Sequence, residues 1–189
     1  MRARTRSRQF GALAAIVAAL LALAACGSSS SSKVSAGSYV KSVCSTATSW
    51  YRTIQAAGTK LQASVHNSKS LSKDKSAYIT FVDSLLHATQ RAQQHLKSAG
   101  TPAVNGGKKI SNELTNAFNS AQRGLQKAAA QVRKAPTSSS TSFEAAAAGV
   151  QSTVQRALQG LSALAPQKNP QLHAAALKDP SCQRLRAIG

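Results

Sequence analysis

The sequence predicts an all-α protein: an up-down four-helix bundle with a short C-terminal helix and one disulfide, preceded by a signal peptide and a flexible Ser-rich tether. Composition is the first reason. Ala contributes 36 and Ser 27 of the 189 residues, whereas Gly and Pro together number 16, and such a chain favours helix over sheet. The second reason is that four long segments carry apolar residues at alternating spacings of three and four, which is the period of an amphipathic helix.

The first segment, residues 1–25, has the charge order of a secretory signal peptide. Four Arg residues precede position 9 without any acid, and residues 11–25 contain only Gly, Ala, Leu, Ile and Val. This apolar run is shorter than the roughly 20 residues that a membrane-spanning helix needs. A cleaved signal is therefore favoured over a permanent transmembrane helix.

The apolar run ends in Leu23, Ala24, Ala25 and Cys26, a tetrad that resembles a lipobox, the recognition site of bacterial lipoproteins. The resemblance implies cleavage between Ala25 and Cys26, a diacylglyceryl thioether on Cys26, and acylation of the new amino terminus. Two or three acyl chains anchor a protein firmly, whereas one chain is marginal. The resulting expectation is a protein anchored by lipid to the extracytoplasmic face of the cell membrane. The alternative is a plain secreted protein in which Cys26 is incidental.

Residues 26–35 are expected to form the lipidated cysteine and a Ser-rich linker, because a Ser tract has no apolar surface to bury. Residues 36–189 are then the helical bundle domain. Removal of residues 1–25 leaves a charge of +15, since that segment holds four of the 24 Lys and Arg residues and none of the five acids. The basic excess is thus a property of the domain.

The first two helices follow from their apolar stripes. One stripe runs from Val40 to Val65 and includes Trp50, and the next runs from Tyr78 to Leu96. Ser72 is the expected N-cap of the second helix, because a serine hydroxyl can accept a hydrogen bond from a free backbone amide.

The third helix is expected to begin at Thr101 and Pro102, with Thr as N-cap and Pro as the first helical residue. Its stripe continues to Val132. The fourth is expected to open with the capping box of residues 141–144 and to continue to Leu164. A short helix should follow Asn169, and Asp179 and Pro180 should start a last turn. The linkers are short, so successive helices should run antiparallel.

Two cysteines remain in the domain, Cys44 near its beginning and Cys182 near its end. In an exported chain an isolated pair predicts one disulfide. Closing so long a loop stabilises a fold by at most about 4 to 5 kcal/mol in the chain-entropy model. The alternative is a pair of buried free thiols.

Three short segments resemble a group of small secreted proteins and lipoproteins of high-GC Gram-positive bacteria. They are residues 39–44 (YVKSVC) with the following Trp50, residues 100–107 (GTPAVNGG), and residues 180–182 (PSC). The resemblance implies a helical bundle and a bridge between Cys44 and Cys182. It implies no activity, because the group has none assigned.

The residues that catalysis needs are scarce. The five acids include no pair at a spacing of three or four, and none forms a Glu-x-x-His arrangement. His87 and His95 lie about 80° apart around a helix, which does not make a tight metal face. Neither a Gly-x-Ser-x-Gly motif nor a Gly-rich phosphate loop occurs. We therefore expect no catalytic site, no metal site and no cofactor.

The basic residues of the third helix lie off its apolar stripe and are the candidate anion-binding residues. They are Lys108, Lys109, Arg123, Lys127, Arg133 and Lys134. Charge of this size attracts anionic phospholipid or wall polymers that bear phosphate. A face that only keeps the protein soluble is the alternative. Nucleic acid is not expected as a partner, because aromatic residues for base stacking are not interleaved with the basic ones.

Two functional hypotheses follow. The first is a membrane-anchored, non-catalytic protein of the cell envelope that contacts anionic lipid or wall polymer. The second is a small-ligand carrier with a pocket inside the bundle near Trp50, since alanine-rich seams allow a cavity. The sequence does not predict an oligomeric state.

The lipid anchor is tested by Cys26→Ser. Because only a thiol accepts the diacylglyceryl group, we expect the variant either to appear in the medium or to remain as unprocessed precursor. Membrane fractionation and intact mass measure both outcomes, and Cys182→Ser is the control that should stay anchored. Unchanged fractionation and mass for Cys26→Ser would contradict the lipoprotein interpretation.

Overall fold

The computed structural model describes residues 32–162 and 169–188, which belong to one compact unit, Ser32–Gly189. The predictions for the signal peptide, for residues 23–25, for Cys26 and for Leu164 fall outside these ranges.

The fold is a bundle of helices joined by a disulfide, as predicted from the sequence. The helices are α1 (Ala36–His66), α2 (Leu71–Ser98), α3 (Gly107–Lys134), α4 (Ser140–Ser162), α5 (Pro170–Lys178) and α6 (Pro180–Ile188), and two short strands are β1 (Lys33–Val34) and β2 (Thr101–Pro102). The four long helices are those expected from the apolar stripes.

The long helices pack in chain order, each antiparallel to the one before it. Lys75 at the start of α2 donates to the carbonyl of Ala135 just beyond the end of α3 (2.8 Å), and Gln93 near the end of α2 bonds Asn119 in the first half of α3 (2.8 Å). α2 also contacts α4, and α1 is covered on another side by α5 and α6. The two short C-terminal helices therefore pack against α1, on a side that α2 does not cover.

The central core combines a few large side chains with many alanines. Trp50 packs edge-on against Phe118 with ring centroids 5.6 Å apart, and Leu85 and Leu125 are buried beside them. The alanines of the core are Ala57, Ala88, Ala92, Ala128 and Ala129. Because an alanine buries little area, this core gains its stability from close helix approach more than from side-chain bulk.

A second buried cluster surrounds the disulfide. Cys44 of α1 is bonded to Cys182 of α6 with their Cα atoms 4.9 Å apart, and Tyr39, Val40 and Leu172 are buried around the bond. The predicted disulfide is therefore confirmed. It attaches α5 and α6 to the first half of α1.

The caps of α5 and α6 lie where the sequence places them. The Asn169 side chain accepts from the amides of Gln171 (3.0 Å) and Leu172 (3.1 Å). Asp179 does the same for Ser181 (2.8 Å) and Cys182 (3.3 Å). The last element is a nine-residue helix, longer than the single turn expected.

Two other predicted caps are wrong by two residues. α2 is capped by Ser70, which has an extended backbone and accepts from the Lys73 amide at 3.4 Å, rather than by Ser72. α4 begins at Ser140, and the Ser139 hydroxyl accepts from the amide of Ser142 at 3.3 Å, so the expected capping box lies within the helix. Both errors occur where several Ser or Thr residues lie within a few positions of one another, so that spacing does not distinguish one possible cap from the next.

The predicted start of the third helix is also wrong. Thr101 and Pro102 form β2, which pairs in parallel with β1, and α3 begins only at Gly107. The Thr101 amide donates to the carbonyl of Ser32 (3.2 Å), and the Ala103 amide donates to that of Val34 (2.8 Å). A proline φ suits an extended strand as well as a first helical turn, and pairing with a distant segment near the start of the domain decides between them.

We call this pairing the N-terminal seat: residues 32–34 against residues 100–103. Gly100 permits it through a left-handed φ of 75°, and a Cβ there would lie 2.6 Å from the carbonyl oxygen of Ser32. A Cβ on Gly107 would lie 2.0 Å from the carbonyl oxygen of Pro102. The seat fixes Lys33 and Val34, from the segment expected to be tether, against the bundle.

We expect removal of the disulfide to destabilise the protein markedly. The double variant Cys44→Ala, Cys182→Ala should lose about 2 to 5 kcal/mol of unfolding free energy, because an open chain has more conformational freedom when unfolded. Urea denaturation followed by Trp50 fluorescence measures the loss. Reductant should shift the midpoint of the wild type and leave that of the double variant unchanged; coincident wild-type curves with and without reductant would contradict the prediction.

Candidate functional site

Six basic side chains share one side of α3. At about 100° per residue around a helix, the six fall within an arc of about 120°, opposite the buried Phe118, Leu125 and Val132. All six are exposed. We call this surface the α3 basic face: Lys108, Lys109, Arg123, Lys127, Arg133 and Lys134. These are the residues that the sequence proposes for anion binding.

Acids touch the α3 basic face at two points within the described ranges. Arg133 forms a salt bridge with Asp83 of α2, and Lys109 lies 4.0 Å from Glu113 one turn along α3. The Lys109 side chain keeps 81% of its surface exposed, so this second pair is worth little. Arg123 donates to the hydroxyl of Ser120.

The other three members of the face, Lys108, Lys127 and Lys134, make no hydrogen bond and no salt bridge to any residue in the described ranges. Their ammonium groups are therefore available to an external anion. Together with the exposed Lys109, they extend the available positive charge along most of α3.

Trp50 contacts both the central core and a depression on the surface of the bundle. Its ring is buried against Phe118, and its Nε1–H donates to the hydroxyl of Thr89 at 3.0 Å, which in turn donates to the carbonyl of Leu85 at 2.8 Å. Its remaining edge lines an open depression of about 240 Å³ between α1 and α2. The pocket expected near Trp50 thus lies on the surface of the bundle rather than within it.

A second open depression, of about 470 Å³, lies between α1 and α6. It shares Ser45, Ser49 and Thr53 with the first. These three residues follow one another at intervals of four on α1, so their small side chains form a low hydroxyl ridge. We call the two depressions and this ridge the α1 groove.

Arginines from three helices border the α1 groove. Arg91 of α2 lines the first depression together with His95, whereas Arg52 of α1 and Arg184 of α6 line the second. Among the described residues, neither lining includes Asp or Glu. The groove is therefore a positively charged surface divided by a ridge of hydroxyl-bearing side chains.

Asp179 is connected to the groove through Ser181, but its carboxylate is already engaged. It accepts hydrogen bonds from the hydroxyl and amide of Ser181 and from the amide of Cys182. The hydrogen bond from the Ser181 hydroxyl is the main reason why the pKa of Asp179 is lowered from its ordinary value. The carboxylate stays charged at neutral pH and serves as the cap of α6.

No group of three His, Cys, Asp or Glu side chains among residues 32–162 and 169–188 is arranged to hold a metal ion. In that same part of the chain, no helix combines the length and the apolar character needed to cross a bilayer.

Sequence reasoning found the α3 basic face and missed the α1 groove. The face could be found because it belongs to one helix with a regular apolar stripe. The groove needs Arg91 and Arg184 from other helices, and the position of Arg184 depends on the disulfide two residues before it. One feature of the sequence could have indicated the groove: Ser45, Ser49 and Thr53 recur every four residues, which places polar side chains along one line of α1.

Comparison of the chain with models of protein families, with curated proteins and with solved structures gives no match.

The buried bond between Trp50 and Thr89 is tested by Thr89→Ala. Because the variant leaves the indole N–H without its partner in the core, we expect a loss of about 1 to 3 kcal/mol of unfolding free energy. Thr80→Ala is the matched control, since the exposed Thr80 makes the same kind of bond to the carbonyl four residues earlier (2.9 Å). It should change stability by less than about 0.5 kcal/mol. Equal urea midpoints for the two variants would contradict the assignment.

Proposed function

We propose that the chain is an exported lipoprotein, held through Cys26 on the extracytoplasmic face of the cell membrane, that binds anionic phospholipid or wall polymer and is not an enzyme. The observation that carries the proposal is the α3 basic face. A positively charged surface attracts phosphate groups over a distance of about 8 Å at physiological salt. The charge of the domain, far from zero, acts in the same direction.

The N-terminal seat supports the proposal that one end of the helical domain lies close to the membrane. Cys26 and Lys33 are seven residues apart, a distance of at most about 25 Å in an extended chain. Lys108 and Lys109 follow Gly107 directly and so lie at the same end of the bundle as the seat. An anchored domain would keep these two lysines near the lipid headgroups.

Because α3 is long, the α3 basic face could contact the membrane or the wall in two different orientations of the bundle. Lys134 lies about 40 Å along the helix from Lys108, farther than charge acts through salt solution. The full face meets a membrane only if the bundle lies along the surface. An upright bundle would present Arg133 and Lys134 to wall polymer instead.

Two of the acids have structural roles that favour binding over catalysis. Asp83 forms a salt bridge with Arg133 of α3, and Asp179 caps α6. General acid-base catalysis needs a positioned group that is free to exchange a proton with a substrate, and these two carboxylates have structural partners.

The test is sedimentation of a lipid-free protein, beginning at Ser32, with vesicles containing phosphatidylglycerol and with purified cell wall. Binding should fall steeply as salt rises. The triple variant Lys108→Gln, Lys127→Gln, Lys134→Gln should bind roughly a hundredfold more weakly, because each Lys near an anionic surface contributes about 1 kcal/mol.

The matched control removes the same charge from other elements: Lys60→Gln, Lys69→Gln, Lys178→Gln. It should retain most of the binding. No binding by the wild type at low salt, or equal losses in the two triple variants, would contradict the role of the α3 basic face.

A second candidate function is the binding of a small ligand, and the observation that favours it is the open depression beside Trp50. This function needs neither the membrane anchor nor the α3 basic face.

A further inference from the structure

We propose that the α1 groove is a binding site for the phosphate group of a small phosphate ester. The proposal rests on the second candidate function and gives its ligand a chemical class. The described residues of the groove come from α1, α2 and α6, whereas the α3 basic face lies on a different helix. The two surfaces can therefore be tested independently.

The three arginines of the groove are available to a ligand. Arg52, Arg91 and Arg184 are exposed, and none makes a hydrogen bond or a salt bridge to another residue of the described chain. A guanidinium group offers a planar fork of N–H donors that matches two phosphate oxygens. Three such groups around one groove supply donors and charge that the fold itself does not use.

The wall of the first depression contains an unused hydroxyl. Thr46 is only 8% exposed, lines the depression beside Trp50, and makes no hydrogen bond to any described residue. The hydroxyl is accessible from the depression and can donate to an oxygen of a ligand placed there. The hydroxyl of Ser49, on the ridge between the depressions, likewise has no bond to the part of the chain that the structure describes.

The size of the groove suits a small molecule. The depression of about 470 Å³ lies within the range of small-ligand sites, roughly 300 to 1,000 Å³, whereas the one of about 240 Å³ is large enough only for a small group such as a phosphate. Within the described part of the chain, the small side chains of Ser45, Ser49 and Thr53 are all that the two linings share, with Arg91 in the lining on one side and Arg52 in the lining on the other. The geometry therefore favours a phosphate over the ridge with a short organic group in the larger depression.

The experiment uses the single Trp of the chain, Trp50, as its reporter, because its largely buried ring lies in the wall of the first depression. The lipid-free protein beginning at Ser32 is titrated with glycerol 3-phosphate, and calorimetry under the same conditions gives an independent affinity. We expect saturable binding, and no response to glycerol, which lacks the phosphate.

Two triple variants assign the site. Arg52→Gln, Arg91→Gln, Arg184→Gln should weaken binding at least roughly tenfold, because charged hydrogen bonds to phosphate are lost. Lys108→Gln, Lys127→Gln, Lys134→Gln removes the same charge from α3 and should stay within about twofold of the wild type. Unchanged urea midpoints would show that both variants are folded, as expected for exposed side chains.

A second probe distinguishes the source of the phosphate. Monomeric short-chain phosphatidic acid carries the same group on a lipid. Binding of both probes with loss in the arginine variant supports a site that recognises the phosphate itself, and binding of the lipid alone with the same loss supports a headgroup site. No saturable binding of either probe, or equal loss in both triple variants, overturns the proposal. Vesicle binding by the α3 basic face would be unaffected by that outcome.

Discussion

The disulfide between Cys44 and Cys182 is the constraint on which the terminal part of the fold depends. α5 and α6 are nine residues each, shorter than helices that are stable alone. The bond holds them against α1, where Leu172 and Tyr39 close a small second core. The same bond places Arg184 beside Arg52. One covalent link thus determines both the burial of the second cluster and the charge of the α1 groove.

Small residues determine how the four long helices pack. Alanines at the helix contacts allow close approach, and the few large side chains, Trp50 and Phe118 among them, fill the centre. The two depressions along α1 are open and are bordered by hydroxyl and arginine side chains. A ligand of the α1 groove, as proposed above, would therefore be held by charge and hydrogen bonding.

Periodicity predicted the four long helices and the central core, because each stripe is a property of one segment. Contacts between segments distant in the sequence determine the features that periodicity does not predict. Thr101 and Pro102 have the local signature of a helix start and form a strand because Lys33 and Val34 lie beside them. The α1 groove was missed for the same reason, since Ser45 and Ser49 acquire their basic neighbours only when α2 and α6 pack on α1.

The N-terminal seat has a mechanical consequence. The chain enters the bundle through a strand whose bonds to the loop before α3 are the Thr101 amide to Ser32 and the Ala103 amide to Val34. A pull on the preceding segment would load these backbone bonds before it reached the first turn of α1. An external force would then break two local hydrogen bonds, which can form again when the force is released. The helices beyond the strand would stay packed.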